Sequence, residues 1–250
     1  MRNTIKKFLK FFLPKIIFQK RREFVRTLSE MKYKKLTTQE IFSDIYRIGE
    51  WGKSQNSEQP FFSGSGSHNV SIVSDYIDSV HAFLKFFSTK PNVVDLGCGD
   101  FSIGSKIRPL CNQYIACDIV APLIEFNKKK YQLLNVDFRV LNLISDKLPS
   151  ADIVFIRQVL QHLSNTEIEN IVPKLAQNFK YLILTEHLPV AENFTHNLDM
   201  YTGPDTRLRF NSGVVLTSPP FNLKVKSQKI MLKSPEIGGL IQTTIYELKV

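Results

Sequence analysis

One short joint constrains this chain more than any other segment. The run Val93-Val94-Asp95-Leu96 reads as a buried strand, and it passes directly into Gly97-Cys98-Gly99-Asp100, with a helical pattern over Ile103–Leu110. Two residues without a Cβ let the backbone turn sharply and let a ligand approach it closely. The helix that follows can offer free N–H groups at its N-terminus. The nicotinamide-dinucleotide pattern G-x-G-x-x-G is not met, because Ser102 stands at the third glycine position.

From Asn92 onward, short apolar runs alternate with helical segments. The strand candidates are Val93–Leu96, Tyr114–Asp118, Asp137–Leu141, Ile153–Arg157 and Tyr181–Glu186. Helical candidates are Ile103–Leu110, Leu123–Leu133, Gln158–Leu163 and Thr166–Asn178. Such alternation predicts an α/β doubly wound, mostly parallel sheet covered by helices. Val214–Leu216, Leu223–Leu232 and Leu240–Val250 have no helix between them, so the seven-stranded sheet is expected to finish with antiparallel C-terminal strands. Upstream, Thr37-Thr38-Gln39-Glu40 reads as a capping box before Ile41, Phe42, Ile45 and Ile48, and Ser164-Asn165-Thr166-Glu167 as a second. Val73, Ile77, Val80, Leu84 and Phe87 recur at helical spacing within 71–87. The expected organisation is a basic amphipathic arm (1–36), N-terminal helices with a Gly/Ser loop (37–90) and the ligand-binding domain (91–250).

Asp95-Leu96-Gly97-Cys98-Gly99 resembles motif I of the class I S-adenosylmethionine (SAM)-dependent methyltransferases. That family usually has a further glycine where this chain has Phe101, a residue that could narrow the turn. Three more stations follow in order. Asp118 ends the next strand, where an acid accepts hydrogen bonds from both ribose hydroxyls; the alternative for Asp118 is a cap for the helix near Pro122. Asn142 follows the third strand, where the family places an adenine contact. Ile156–Leu163 resembles the family segment lining cofactor and substrate. The likeness covers roughly residues 90–190. It implies SAM as cofactor, with Asp95, Gly97, Cys98, Gly99, Asp118, Ile119, Asn142, Leu143, Arg157 and Gln158 around it. Ser63-Gly64-Ser65-Gly66-Ser67 stands where family members fold over bound SAM, so Ser63, Gly64 and Ser67 join that set; a flexible linker is the plainer reading.

Charge bears on the partner. Of 33 Lys/Arg and 23 Asp/Glu, residues 1–35 hold 12 and two, leaving 21 of each in the body. The net charge of +10 thus sits in the arm. A basic groove for a polyanion would leave its excess in the body, so nucleic acid is disfavoured. Residues 8–18 (FLKFFLPKIIF) are apolar but too short and too charged to span a bilayer. Within residues 1–26 a helix could lie on an anionic membrane surface, or pack on protein. Cys98, Cys111 and Cys117 have neither metal-ligand spacing nor a disulfide framework. No metal is expected. The implied place is the cytoplasm, with the arm allowing a peripheral position at the inner membrane face.

A sulfonium donor is already activated, so the protein must mainly align an acceptor. For a hydroxyl acceptor a general base helps. His187, after the fifth strand, is the first candidate; Glu186 beside it could orient it or touch the acceptor. His162 is the second. His196, Asn197 and Asp199 form a polar group on the next loop. Arg207 and Arg209 alternate in a run read as extended, so one could meet a substrate anion, or both could sit on a solvated edge strand. Ser218-Pro219-Pro220-Phe221 mimics a motif of nucleic-acid amino methyltransferases, but about 60 residues too late, and reads as a rigid turn. The favoured function is O-methylation of a small molecule or of a sugar or glycan hydroxyl in a bacterial pathway. The alternatives are an RNA or DNA methyltransferase and a non-catalytic SAM-binding protein. Oligomeric state is not legible.

Overall fold

A computed structural model describes residues 27, 30–54 and 59–248. The chain forms two compact units, Met1–Thr37 and Thr38–Val250. In the first, the described residues include helical turns in which Lys34 Nζ lies 2.9 Å from Glu30 Oε1. Residues 1–26, which carry the membrane-surface reading, lie outside the described residues. None of the described helices is long and apolar enough to cross a membrane.

The second unit opens with helix α1 (Thr38–Ile48), which buries Ile41, Phe42 and Ile45. Helix α2 (Val70–Leu84) follows, burying Val73, Tyr76, Ile77, Val80 and Leu84. Then come strand β1 (Val93–Leu96), the short helix α3 (Gly104–Ile107), β2 (Tyr114–Asp118), α4 (Ala121–Lys130), β3 (Asp137–Val140) and β4 (Ala151–Arg157). Helix α5 (Asn165–Asn178) leads into β5 (Phe179–Leu188). Two-residue strands β6 (Thr195–His196) and β7 (Ser212–Gly213) pair with each other, and a hairpin of β8 (Val225–Glu236) and β9 (Gly239–Leu248) finishes the unit.

The main sheet has seven strands in the order β3-β2-β1-β4-β5-β9-β8. β1 to β5 are parallel, and β9 returns antiparallel along β5. β1 is buried along its whole length because helices cover both faces of a parallel sheet. On one face, α2 packs Val73, Tyr76, Ile77 and Val80 over Val93, Ile153, Phe155 and Ile183. Strand order reverses between β1 and β4, so the crevice at their carboxyl ends is where such a sheet binds ligands.

Four local expectations are corrected. Val214–Leu216 is not a strand: Val214 and Leu216 are buried, yet the Asn197 side chain stands in for a neighbouring strand, accepting from Val215 N and donating to Val215 O. Arg207–Phe210 is a 3-10 turn, not an extended run. Within the predicted helix Gln158–Leu163 only Leu160–His162 is helical, and as a 3-10 turn, with Gln158 at φ 56° just before it. The predicted helix Ile103–Leu110 is α3 followed by a 3-10 turn at Arg108–Leu110, where Pro109 cannot donate a helical hydrogen bond. By contrast, the second capping box is formed: Glu167 N donates to Ser164 Oγ, and Ser164 N donates to the Glu167 carboxylate at 3.0 Å.

Candidate active site

A cavity of about 300 Å³ opens at the carboxyl ends of β1 and β4, a size suited to small-molecule sites. Asp95, Gly97, Cys98, Gly99, Asp118, Ile119, Asn142, Leu143, Arg157, Gln158, Ser63, Gly64 and Ser67 all line it, as do His162 and His187. Glu186 does not.

The glycine turn is built for contact. Gly97 and Gly99 have φ of 78° and 54°, where a side chain is strained. A Cβ on Gly97 would collide with Val159, and one on Gly99 with the Ser63 side chain. The glycines therefore admit the chain's own covering segments as well as a ligand. Phe101, at φ 59°, does not narrow the cleft. Its ring is 1% exposed and stacks edge-on with Tyr114, Tyr131 and Phe138, in the core beneath the turn.

Asp118 is buried at the end of β2. It accepts Gly99 N at 3.1 Å and Val120 N at 3.0 Å. It does not cap α4, whose N-cap is Val120 without a side-chain bond. Burial pushes its carboxyl up to about 6, against the pull of the Val120, Gly99 and Ile119 backbone bonds. Two backbone donors use only part of a carboxylate's acceptor capacity, so the group can still take ribose hydroxyls. Asp95 sits deeper, where burial raises it to about 7 although the Tyr114 hydroxyl donates to it at 3.0 Å. Asn142 accepts Ile144 N through Oδ1 at 2.9 Å. Burial raises the Cys98, Cys111 and Cys117 thiols, so they stay protonated as packing groups.

The Gly/Ser segment is latched over the turn. Ser63 Oγ accepts Asp100 N at 2.9 Å and contacts the Tyr46 hydroxyl at 3.1 Å. Asp100 Oδ2 in turn lies 2.7 Å from His68 Nε2, whose ring stacks on Phe62. Burial works against the Asp100 charge, but the His68 hydrogen bond and charge outweigh it and hold the carboxyl below its ordinary value. From the other side, Arg157 donates to Gly66 O at 2.6 Å and to Ser67 Oγ at 3.2 Å. Tyr46, Asp100 and His68 were not singled out from sequence. Nothing in their spacing marks them, because they meet only through the fold.

A second wall is aromatic. Trp51 lies 4.9 Å from the His162 ring, 5.4 Å from Tyr46 and 6.0 Å from Phe42, and its Nε1 donates to Pro204 O at 3.3 Å. His162 is fixed at both nitrogens. Gln161 Oε1 accepts His187 N at 3.0 Å, which turns the Gln161 amide nitrogen toward His162 Nε2 at 3.2 Å. His162 Nδ1–H then faces Asp205 O at 3.1 Å. Burial lowers His162 to about 4, so it is neutral. The half-buried His187 turns its Nε2 edge toward Gly239, where a Cβ would stand 3.0 Å away. Burial lowers its basicity too, with Glu236 opposing.

Glu186 is displaced from its expected place. It is 2% exposed, and its carboxylate oxygens make no hydrogen bond. Burial raises it to about 8 despite nearby Arg207 and the Leu160 and Gln161 backbone groups, so the acid is protonated at neutral pH. Its side chain alternates with that of His187 along β5, which sends it away from the cavity. Arg207 meets no substrate: it is 1% exposed and donates to Leu198, Leu160, Gln161 and Leu163 carbonyls and to Asn165 Oδ1. It clamps the turn that carries His162. Arg209 pairs with Asp205 at 2.9 Å. His196, Asn197, Asp199 and residues 218–221 line no part of the cavity. Among the described residues, no group of three His, Cys, Asp or Glu is arranged to hold a metal.

Residues 94–180 match the family model described as a methyltransferase domain. No curated protein sequence matches the chain significantly. Several solved structures share the fold. Magnesium protoporphyrin IX methyltransferase (ChlM) from Synechocystis PCC 6803, with bound SAM, has a TM-score of 0.55 and 15% identity, over 86% of this chain and 98% of that one. The N-methyltransferase NodS from Bradyrhizobium japonicum WM9, with S-adenosyl-L-homocysteine (SAH), gives 0.52 and 10%, over 70% and 87%. The N-terminal domain of EvdMO1, in the presence of SAH and D-fucose, gives 0.52 and 12%, over 70% and 84%. With a reversed strand order around a two-glycine turn, and the methyltransferase-domain model matched across it, residues 94–180 carry a methyltransferase domain on the fold shared with SAM-dependent methyltransferases.

Proposed function

We propose that this enzyme methylates a hydroxyl of a small molecule, with His187 as the general base. The observation that carries the reading is one continuous cavity running from the Asp118 carboxylate to His187. In this reading Asp118 holds the ribose, Asn142 and Leu143 flank the adenine, and the latched segment 63–67 covers the cofactor. Bound SAM supplies a methyl group on a sulfonium, ready for in-line displacement. The work left to the chain is alignment and removal of the acceptor proton.

His187 suits the second task better than His162. Both nitrogens of His162 are engaged and it is neutral, which fits a positioning role. His187 faces Gly239 with Nε2, so an acceptor proton would pass to Nδ1 on the opposite edge of the ring. Burial keeps His187 unprotonated near neutral pH, as a base must be. A sugar or glycan hydroxyl is the finer form of this reading; support comes from the neighbour crystallised with SAH and D-fucose. Attachment of the arm to the inner membrane face belongs to the same finer reading.

The test uses labelled SAM and a cell extract. Label should enter an extractable small molecule. Asp118→Ala should abolish SAM binding in calorimetry. His187→Ala should spare SAM binding and lower kcat by about 10²–10⁴, the usual worth of a general base. Unchanged turnover in His187→Ala would remove it as the base.

A further inference from the structure

The cavity divides by charge. Among the described residues, its charged lining residues are Asp95 in β1, Asp100 in the glycine turn, and Asp118 and Arg157 at the ends of β2 and β4. The opposite wall is formed by Phe42, Trp51, His162, Leu163, Pro204 and Thr206. Contacts show that this wall is one surface: Trp51 touches Phe42 and the His162 ring and is bonded to Pro204. Among the described residues, no Lys, Arg, Asp or Glu lines it. The charged residues nearby are already engaged. Arg207 is spent on four carbonyls and Asn165, Arg209 on Asp205, and Glu167 on the capping box, while Glu186 is screened behind the Leu160–His162 turn.

Resting on the methyltransferase reading, we infer that this wall is the acceptor subsite and that it selects an uncharged acceptor bearing a ring that can stack on it. An ionised group brought against the wall would lose water and find no counter-charge, which is costly in a partly buried site. A ring finds aromatic faces and edges at stacking distance. Thr206, Gln161 and the neutral His162 supply hydrogen-bonding groups for a hydroxyl or ether but no formal charge.

The chain's single tryptophan is the one in this wall, which gives a readout independent of turnover. Three probes share a ring and differ in charge: benzyl alcohol, benzoate and benzylamine. With SAH present, benzyl alcohol should change Trp51 fluorescence saturably, and benzoate and benzylamine should bind at least tenfold more weakly. Trp51→Phe should remove the signal. Thr206→Lys should shift preference at least tenfold toward benzoate. The inference is overturned if either charged probe binds as tightly as benzyl alcohol, or if benzyl alcohol gives no response. SAH binding is measured separately by calorimetry. Loss of that binding sinks the methyltransferase reading itself, whereas SAH binding without charge discrimination sinks only the acceptor subsite.

Discussion

Replacing Phe101 by glycine separates a packing role from a ligand role at the position where this chain departs from the family pattern. The ring is buried against Tyr114, Tyr131 and Phe138, with centroids 5.5, 5.2 and 4.9 Å away. Deleting a buried phenylalanine side chain costs about 3–5 kcal/mol. The φ of 59° is left-handed, and glycine there relieves about 1–2 kcal/mol of strain. The net loss is about 1–4 kcal/mol, which lowers Tm by roughly 2–16 °C in a chain of this size. Gly104 supplies a partner for a cycle. A Cβ there would stand 2.6 Å from Phe101 Cδ2 and closer to Cε2, so Gly104→Ala alone should overpack the site by about 1–3 kcal/mol. In the Phe101→Gly background the ring is gone, the Asp95 Oδ2 contact at 3.1 Å remains, and alanine is better than glycine in a helix by up to about 1 kcal/mol. Gly104→Ala should then cost clearly less than it does in the parent. Denaturant unfolding of the four proteins measures the cycle, and calorimetry measures SAM affinity of Phe101→Gly, expected within about twofold of the parent because the ring lines no part of the cavity. Equal destabilisation by Gly104→Ala in both backgrounds would refute the packing account. Lost SAM affinity with stability intact would place Phe101 in the cleft.

Three other outcomes follow from buried acids and the arm. Because burial raises Asp118 to about 6, SAM affinity should fall about tenfold for each pH unit below that value, as the carboxylate protonates; calorimetry from pH 5 to 8 tests this, and Asp118→Asn should bind weakly with no such slope. Glu186 is raised from 4.5 to about 8, so the unfolded chain releases this proton first, and the stability it confers is present below pH 4.5 and is lost as pH rises to about 8. Glu186→Gln should match the parent below pH 4.5 and gain in Tm relative to it up to pH 8; parallel Tm curves would contradict the buried neutral acid. Deleting residues 1–26 should abolish co-sedimentation with anionic phosphatidylserine vesicles while leaving SAM affinity unchanged; equal sedimentation of both forms would dismiss the membrane-surface reading.

The chain announced its sheet and its glycine turn because those features are local. Val93–Leu96 is a strand because a parallel strand buried on both faces needs an uninterrupted apolar run, and Gly97 and Gly99 mark the joint because only glycine accepts those backbone angles cheaply. The place of Asp118 at the end of β2 was legible because the βα repeat sets the distance from one strand end to the next. Tertiary structure alone decided what meets across the fold. It sent Glu186 into the interior and Phe101 into the core, and coiled Arg207 into a turn facing the carbonyls of 160–163. It also brought Trp51 to His162, 111 positions away in the sequence. Local pattern fixes which face of an element is apolar. The burial, charge and partners of a side chain depend on which other elements close over it, and that is a property of the packed whole.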